Sequence, residues 1–328
     1  MSAPIDTRLA SRQTAFHDIP LIDIAALVDG SDPQQVASEI GRSCEEVGFF
    51  YITNHGVPSE LIERMYTYSK RFFALPFESK QELNVTNSGP TLRGYIPTYA
   101  ENVDPQHTRD LKECFDFGAH DDQVSLFFGP NQMPSDWPEF AETCEQYHAA
   151  MMLLGRRLAS AIALSLGLPA DHFEALQRRP ITIGRLLHYP PQDGDVVQEE
   201  IGIGAHTDYG FLTILSQDEV GGLQVRNRDG EWVSAPPVEG SFIINIGDLV
   251  QTLTNDRYGS TVHRVVNTSG RERYSVPFFM DLDFDAVVEP LPPCRSDNDA
   301  VLDRYTCGEH KYARFVTSYS HLQDVQTR

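Results

Sequence analysis

Cysteine is scarce in this 328-residue chain: there are five, at positions 44, 114, 144, 294 and 307, an odd number with no C-x-x-C spacing. That argues against a disulfide framework and against a zinc–thiolate site, and it suits a reducing compartment. Long apolar runs are missing too. The most hydrophobic stretch, Ala149 to Leu168, carries Arg156 and Arg157 at its middle, so it reads as a buried amphipathic helix and not as a bilayer span. The stretch Met1 to Asp18 is broken by Asp6, Arg8, Arg12 and Gln13 and has no signal-peptide core. Positive charge is short as well, with Lys plus Arg at 26 against 47 Asp plus Glu and a formal net charge of −21. So acidic a surface repels phosphate backbones and anionic lipid, which disfavours nucleic acid and membranes as partners. A cytoplasmic protein with a small-molecule partner is the expectation.

What is present is a globular composition, 41% hydrophobic with 10% aromatics. The first half is expected to be mainly helical. Asp32 and Pro33 make a cap-then-N1 start, with Val36, Ile40 and Val47 at helical spacing until Gly48. Phe49 to Thr53 favours a strand. A second helix follows Pro58, with Leu61, Met65, Tyr68 and Phe72 on one stripe, and a third runs from Pro138 to about Leu166. The polar and aromatic stretch 84–106 reads as a long flexible connection. From about residue 181 the period changes. Short β-rich runs at 181–189, 201–208, 211–216, 222–226, 231–235, 241–246, 260–266 and 273–280 suggest a sandwich or jelly roll. A helical tail should follow Asp297 and end near Tyr319. The expected division is therefore a helical region over 1–176 and a β-rich core with a C-terminal helix over 177–328, built as one integrated unit.

A metal that must leave open positions for other ligands is commonly held by two imidazoles and one carboxylate. On a strand, residues i and i+2 point the same way, so H-x-[DE] presents two such ligands together. Roughly one or two matches are expected by chance, and the chain has three: His120/Asp122, His172/Glu174 and His206/Asp208. The first sits in a polar loop and the second at a helix start. Only His206 and Asp208 end a strand-like run and precede a strand-embedded histidine, His263. Ten residues on, Arg273 and Ser275 share one strand face, and a guanidinium fork with a hydroxyl is a good receptor for a carboxylate.

Several segments together resemble the isopenicillin N synthase-like branch of the Fe(II)/2-oxoglutarate-dependent oxygenases. They include Gly48-Phe-Phe-Tyr-Ile-Thr-Asn-His-Gly-Val57, Tyr189-Pro190-Pro191, His206-Thr-Asp-Tyr-Gly210, Asn245-Ile-Gly-Asp248, His263-Arg-Val and Arg273-Tyr-Ser275. The resemblance implies an α+β fold around a distorted double-stranded β-helix. It implies Fe(II) on His206, Asp208 and His263, with O2 as oxidant. It further implies 2-oxoglutarate held by Arg273 and Ser275, with Tyr189 donating to a cosubstrate carboxylate. Plant members often carry Asn two residues before that tyrosine; here the position is Leu187. The implied reaction oxidises a small molecule and releases succinate and CO2. His55, and Asn245 with Asp248, read as turn-setting residues. Arg93, Tyr95, Tyr99 and Phe115 are the expected substrate contacts. An Fe(II) oxidase that does without 2-oxoglutarate, and a non-catalytic ligand-binding jelly roll, remain open alternatives.

Overall fold

The computed structural model describes residues 9–12, 19–192, 197, 199–295, 304–319 and 322. Its first half contains β1 (Leu21–Asp23), α1 (Ala25–Val28), α2 (Pro33–Glu46), β2 (Phe49–Thr53), α3 (Ser59–Phe73), α4 (Phe77–Glu82), β3 (Gly94–Ile96), β4 (Arg109–Asp110), β5 (Glu113–Phe117) and α5 (Pro138–Ser165). The second half adds β6 (Pro180–Tyr189), β7 (Glu200–Ile201), β8 (Ile203–His206), β9 (Leu212–Gln217), β10 (Leu223–Arg226), β11 (Trp232–Ser234) and β12 (Phe242–Ile246). It ends with α6 (Asp248–Leu253), β13 (His263–Val265), β14 (Arg273–Asp283), β15 (Val287–Val288), β16 (Tyr305–Thr306) and α7 (Cys307–Ser318).

Local chemistry sets the helix ends. At α2 the Asp32 carboxylate accepts the Gln35 amide at 3.0 Å while Pro33 takes the first helical position, a cap worth about 1 kcal/mol. Thr306 and Glu309 form a reciprocal capping box that starts α7. That start falls later than Asp297, because Tyr305 and Thr306 are extended and pair with β15; residues 297–303 lie outside the described residues.

Eight strands form one sheet in the order β1-β2-β12-β9-β14-β6-β5-β3, and four form a second, β11-β10-β13-β8. Helices α3 and α5 cover one face of the large sheet over β14. Central strands β6 and β14 are buried on both faces, so the polar residues they carry, Arg185, Arg273, Ser275 and Asp281 among them, must find partners inside the protein. The large sheet draws β1, β2, β3 and β5 from the first half of the chain and the rest from the second, so the boundary near residue 176 does not separate two cores.

The stretch 84–106 is not an open connection. Thr91, Leu92, Arg93, Tyr95 and Ile96 are buried, and Gly94–Ile96 pairs with β5. The segment is short of apolar pattern, and a three-residue strand is recruited by its neighbour more than by its own propensity. All five cysteines are free thiols. Among the described residues no helix is long and apolar enough to cross a membrane.

Candidate active site

A cavity lies between the two sheets, with about 910 Å³ of space counted out to solvent. The large sheet contributes alternate residues of β6 and β14, including Arg185, Leu187, Tyr189, Arg273, Ser275 and Phe279, and the small sheet contributes His206 and His263. His206 and His263 are direct cross-strand partners on β8 and β13, and their ring centroids are 4.3 Å apart. Asp208 lies just past the end of β8, in the turn, so the turn and not the strand completes the set. Its Oδ1 is 3.6 Å from His206 Nε2 and 3.7 Å from His263 Nε2. One ligand atom from each of the three lies within 4.8 Å of the others.

The surroundings fix which atoms are available. His206 Nδ1–H donates to the Gly204 carbonyl at 2.8 Å and His263 Nδ1–H to the Thr261 carbonyl at 3.1 Å. Both Nε2 lone pairs are thereby left bare and aimed inward, the arrangement a metal-binding imidazole needs. Burial, and then the neighbouring His263, push His206 down to about 4, so its ring is neutral at ordinary pH. Burial alone would raise the Asp208 carboxyl, but the two imidazoles and the bonds from Asn245 and Thr213 outweigh it and hold it below its usual range. Those bonds, from Asn245 Nδ2 at 2.7 Å and from the Thr213 hydroxyl, both fall on Oδ2 and leave Oδ1 for a metal. Removing the amide in Asn245→Ala should weaken divalent-metal binding ~10–100-fold, read by anaerobic metal titration; unchanged affinity would refute this role.

Asn245 is thus not a turn residue. It stands in β12 among Ile243, Ile244 and Ile246, and one buried polar side chain inside an apolar strand demands a partner. That was the signal available in the sequence. Asp248 opens α6 and accepts from Ser260 at 2.9 Å and from His310 at 3.3 Å. His55 lies in irregular backbone between β2 and α3, its Nδ1 accepting the Val57 amide. His120 and Asp122 are exposed, and neither they nor His172 and Glu174 reach the cavity.

Arg273 is buried at the cavity's other end. Its Nε donates to the Gly221 carbonyl, Nη1 donates to Ser275 Oγ at 3.2 Å, and the guanidinium lies 4.5 Å over the Tyr189 ring. Nη2 and the second Nη1 hydrogen have no protein acceptor among the described residues, and a carboxylate would fit both.

The four expected substrate contacts do not line the cavity. Cross-strand partners share a face, and Tyr95, Phe115 and Leu186 stand in one row on the helix-covered side of the sheet. Phe115 packs on Phe72 and Phe140, and the Tyr95 hydroxyl bonds Glu113. Arg93 is spent on the carbonyls of Thr182 and Phe127. Tyr99 bonds Glu200 and carries Arg109 on its ring. The same segment reaches the cavity instead through Glu101 and Val103.

Glu101 belongs to a buried ionic wall. Arg185 binds Asp116 through two bonds of 2.7 Å and Glu101 at 2.8 and 2.9 Å, and Lys112 binds Asp110 at 2.8 Å. Burial works against the Glu101 carboxylate, but Arg185 and Lys112 prevail and lower it from 4.5 to about 2. A lowered carboxyl stabilises the fold above its unfolded value, and that contribution disappears as pH falls toward 2; the difference is worth about 3 kcal/mol. Glu101→Gln starts less stable by ~3–5 kcal/mol, because two buried cations lose a counter-charge. Its melting temperature should then fall less steeply than the parent's between about pH 5 and pH 2. Parallel curves would refute the assignment.

Comparison with known proteins bears on this geometry. Residues 19–138 match the N-terminal family model of non-haem dioxygenases in morphine synthesis, and residues 181–282 match the 2OG-Fe(II) oxygenase superfamily. Homoarginine-6-hydroxylase 2-ODD-C23 of Glycine max is 36% identical, over 94% of this chain and 99% of its own. The 2-oxoglutarate-Fe(II) type oxidoreductase hxnY of Emericella nidulans is 39% identical, over 84% of this chain and 82% of its own. Among solved structures, full-length Neurospora crassa T7H in complex with alpha-KG and thymine superposes with a TM-score of 0.82 at 28% identity, covering 92% of this chain and 97% of that one. The chain therefore belongs to the 2-oxoglutarate-Fe(II) oxygenase superfamily, as a non-haem oxidoreductase that uses Fe(II), 2-oxoglutarate and O2.

Proposed function

We propose that Fe(II) is held by Nε2 of His206, Nε2 of His263 and Oδ1 of Asp208. The observation that carries this is the tethering of both Nδ1 atoms to backbone carbonyls, which leaves a bare Nε2 pair facing one carboxylate oxygen. The donor set fits Fe(II), since three protein ligands on one side leave positions open. Arg273 and Ser275 receive the distal carboxylate of 2-oxoglutarate, and Tyr189 orients the guanidinium beneath it. The two facing sheets are read as a distorted double-stranded β-helix.

Bound iron supplies O2 activation, coupled to oxidative decarboxylation of 2-oxoglutarate to succinate and CO2. The chain's own residues bind, orient and keep the site dry. Asn245 and Thr213 aim the Asp208 carboxylate, Phe49 stacks edge-on to His263 at 5.1 Å, and Leu187, Leu215 and Leu223 exclude water. No side chain need act as a general base. The substrate oxidised is a small molecule, in keeping with the cavity's size. Free thiols and an acidic surface favour the cytoplasm and disfavour nucleic acid and membranes as partners.

Anaerobic titration with Fe(II) and then 2-oxoglutarate tests the reading. A weak visible charge-transfer band should appear only when both are present. Stoichiometric iron uptake without a band would overturn the cosubstrate assignment.

A further inference from the structure

If 2-oxoglutarate takes the Arg273 end of the cavity, as proposed above, the substrate takes the other. We propose that Lys311 is its hydrogen-bond anchor and that the substrate is a compact, uncharged, flat molecule presenting a carbonyl-type oxygen to the Lys311 ammonium.

Position comes first. Arg273, Ser275, Pro277 and Phe279 of β14 line the cavity in alternation, and Asp281 continues that row. Thr213, which bonds Asp208, is the cross-strand partner of Phe279. Along the strand Asp281 is therefore about 7 Å beyond Phe279, the residue level with Thr213, while Arg273 lies in the opposite direction. Asp281 is wedged under the turn that carries Asp208. Its Oδ1 accepts the Phe211 amide at 3.0 Å, and a Cβ on Gly210 would come within 1.7 Å of it. Lys311 reaches in from α7 and bonds Asp281 Oδ2.

Donor counting comes next. Lys311 is only 4% exposed and lines the cavity, and Asp281 is its one acceptor among the described residues. An ammonium has three N–H groups, so two remain for something in the cavity. Arg185, by contrast, places its donors on Asp116, Glu101 and Tyr319, and Lys112 is held by Asp110 and Glu101. Lys311 alone among these buried cations has donors to spare.

Charge then decides the class of ligand. Lys311 is already neutralised by Asp281, and the three carboxylates Glu101, Asp110 and Asp116 are matched by Arg185, Lys112 and the charge of Arg93 beside Asp116. An ion of either sign would enter with no partner to offset its desolvation. A neutral oxygen acceptor satisfies the ammonium without adding charge. Phe279, Phe315 and Tyr209 supply ring surfaces at the same end. Arg314 stacks on Tyr209 at 4.3 Å, but it is half-exposed and does not line the cavity.

Benzamide, benzoate and benzamidine share one planar shape and carry no charge, a negative charge and a positive charge. The full chain is loaded anaerobically with Fe(II) and 2-oxoglutarate, the charge-transfer band is recorded, and each probe is added in equilibrium dialysis. Benzamide is expected to bind at least tenfold tighter than either ion. In Lys311→Met/Asp281→Asn, which removes both buried charges together, the band should persist and benzamide affinity should fall at least tenfold. Equal binding of the three probes, preference for either ion, or full benzamide affinity in the double variant overturns the proposal. Those results with the band intact sink this inference alone. No band in the parent chain sinks the cofactor reading and this inference with it.

Discussion

Asp208→Ala should lose stoichiometric Fe(II) uptake and, with it, turnover by on the order of 10³-fold or more. The carboxylate is the only anionic donor in the triad, and both imidazoles sit within 3.7 Å of its Oδ1. Without it, the two imidazoles bring no negative charge to a dication. The substitution also strands the Asn245 amide and the Thr213 hydroxyl in a buried place, at about 1–3 kcal/mol each, so melting temperature should fall as well. Asp208→Asn keeps the shape and separates the two effects: the fold should recover in part while iron binding does not. Metal analysis after anaerobic loading checks this, and an Asp208→Ala protein that still holds one iron would remove Asp208 from the site.

Arg273→Leu should act on the cosubstrate and spare the metal. Losing a buried guanidinium that faces a carboxylate costs about 3–5 kcal/mol, which is ~10²–10⁴-fold in affinity. The KM for 2-oxoglutarate should rise by that factor while anaerobic Fe(II) binding stays at the parent level. Arg273→Lys restores the charge but not the fork, and should recover only part of the loss. Its Nε is held by the Gly221 carbonyl and its face by Tyr189, so the fork is oriented before any ligand arrives. An unchanged KM would show that the cosubstrate is anchored elsewhere.

These two sites could be named from sequence because spacing along a strand carries them. Arg273 and Ser275 share a face of β14 as period-two spacing expects, and His206 faces His263 across β8 and β13, but Asp208 lies past the end of its strand and is brought to the imidazoles by the turn. The long helices were legible for the same reason: Asp32 with Pro33 and the stop after Ser165 are local signals. The substrate wall was not. Which face of β3 and β5 meets the cavity depends on their pairing with β6, and pairing is a tertiary fact. Tyr95 and Phe115 stand in a row that faces the helices, while Glu101, in no pattern at all, reaches the cavity. Lys311 was invisible too, since nothing in a lysine on a helix announces that Asp281 will draw it inward.

With iron held as proposed, the direct pairing of His206 with His263 would make iron uptake a readout of sheet assembly. A slip of one residue between β8 and β13 would turn one imidazole to the far side and dismantle the site at a stroke. The intervening chain, with β9, β10, β11 and β12, must close back onto that single alignment while its turns keep Asp208 and Gly221 in place. During refolding, metal capture should therefore come late, after those strands have locked, and apo protein that has misaligned them would be recognisable by its failure to bind.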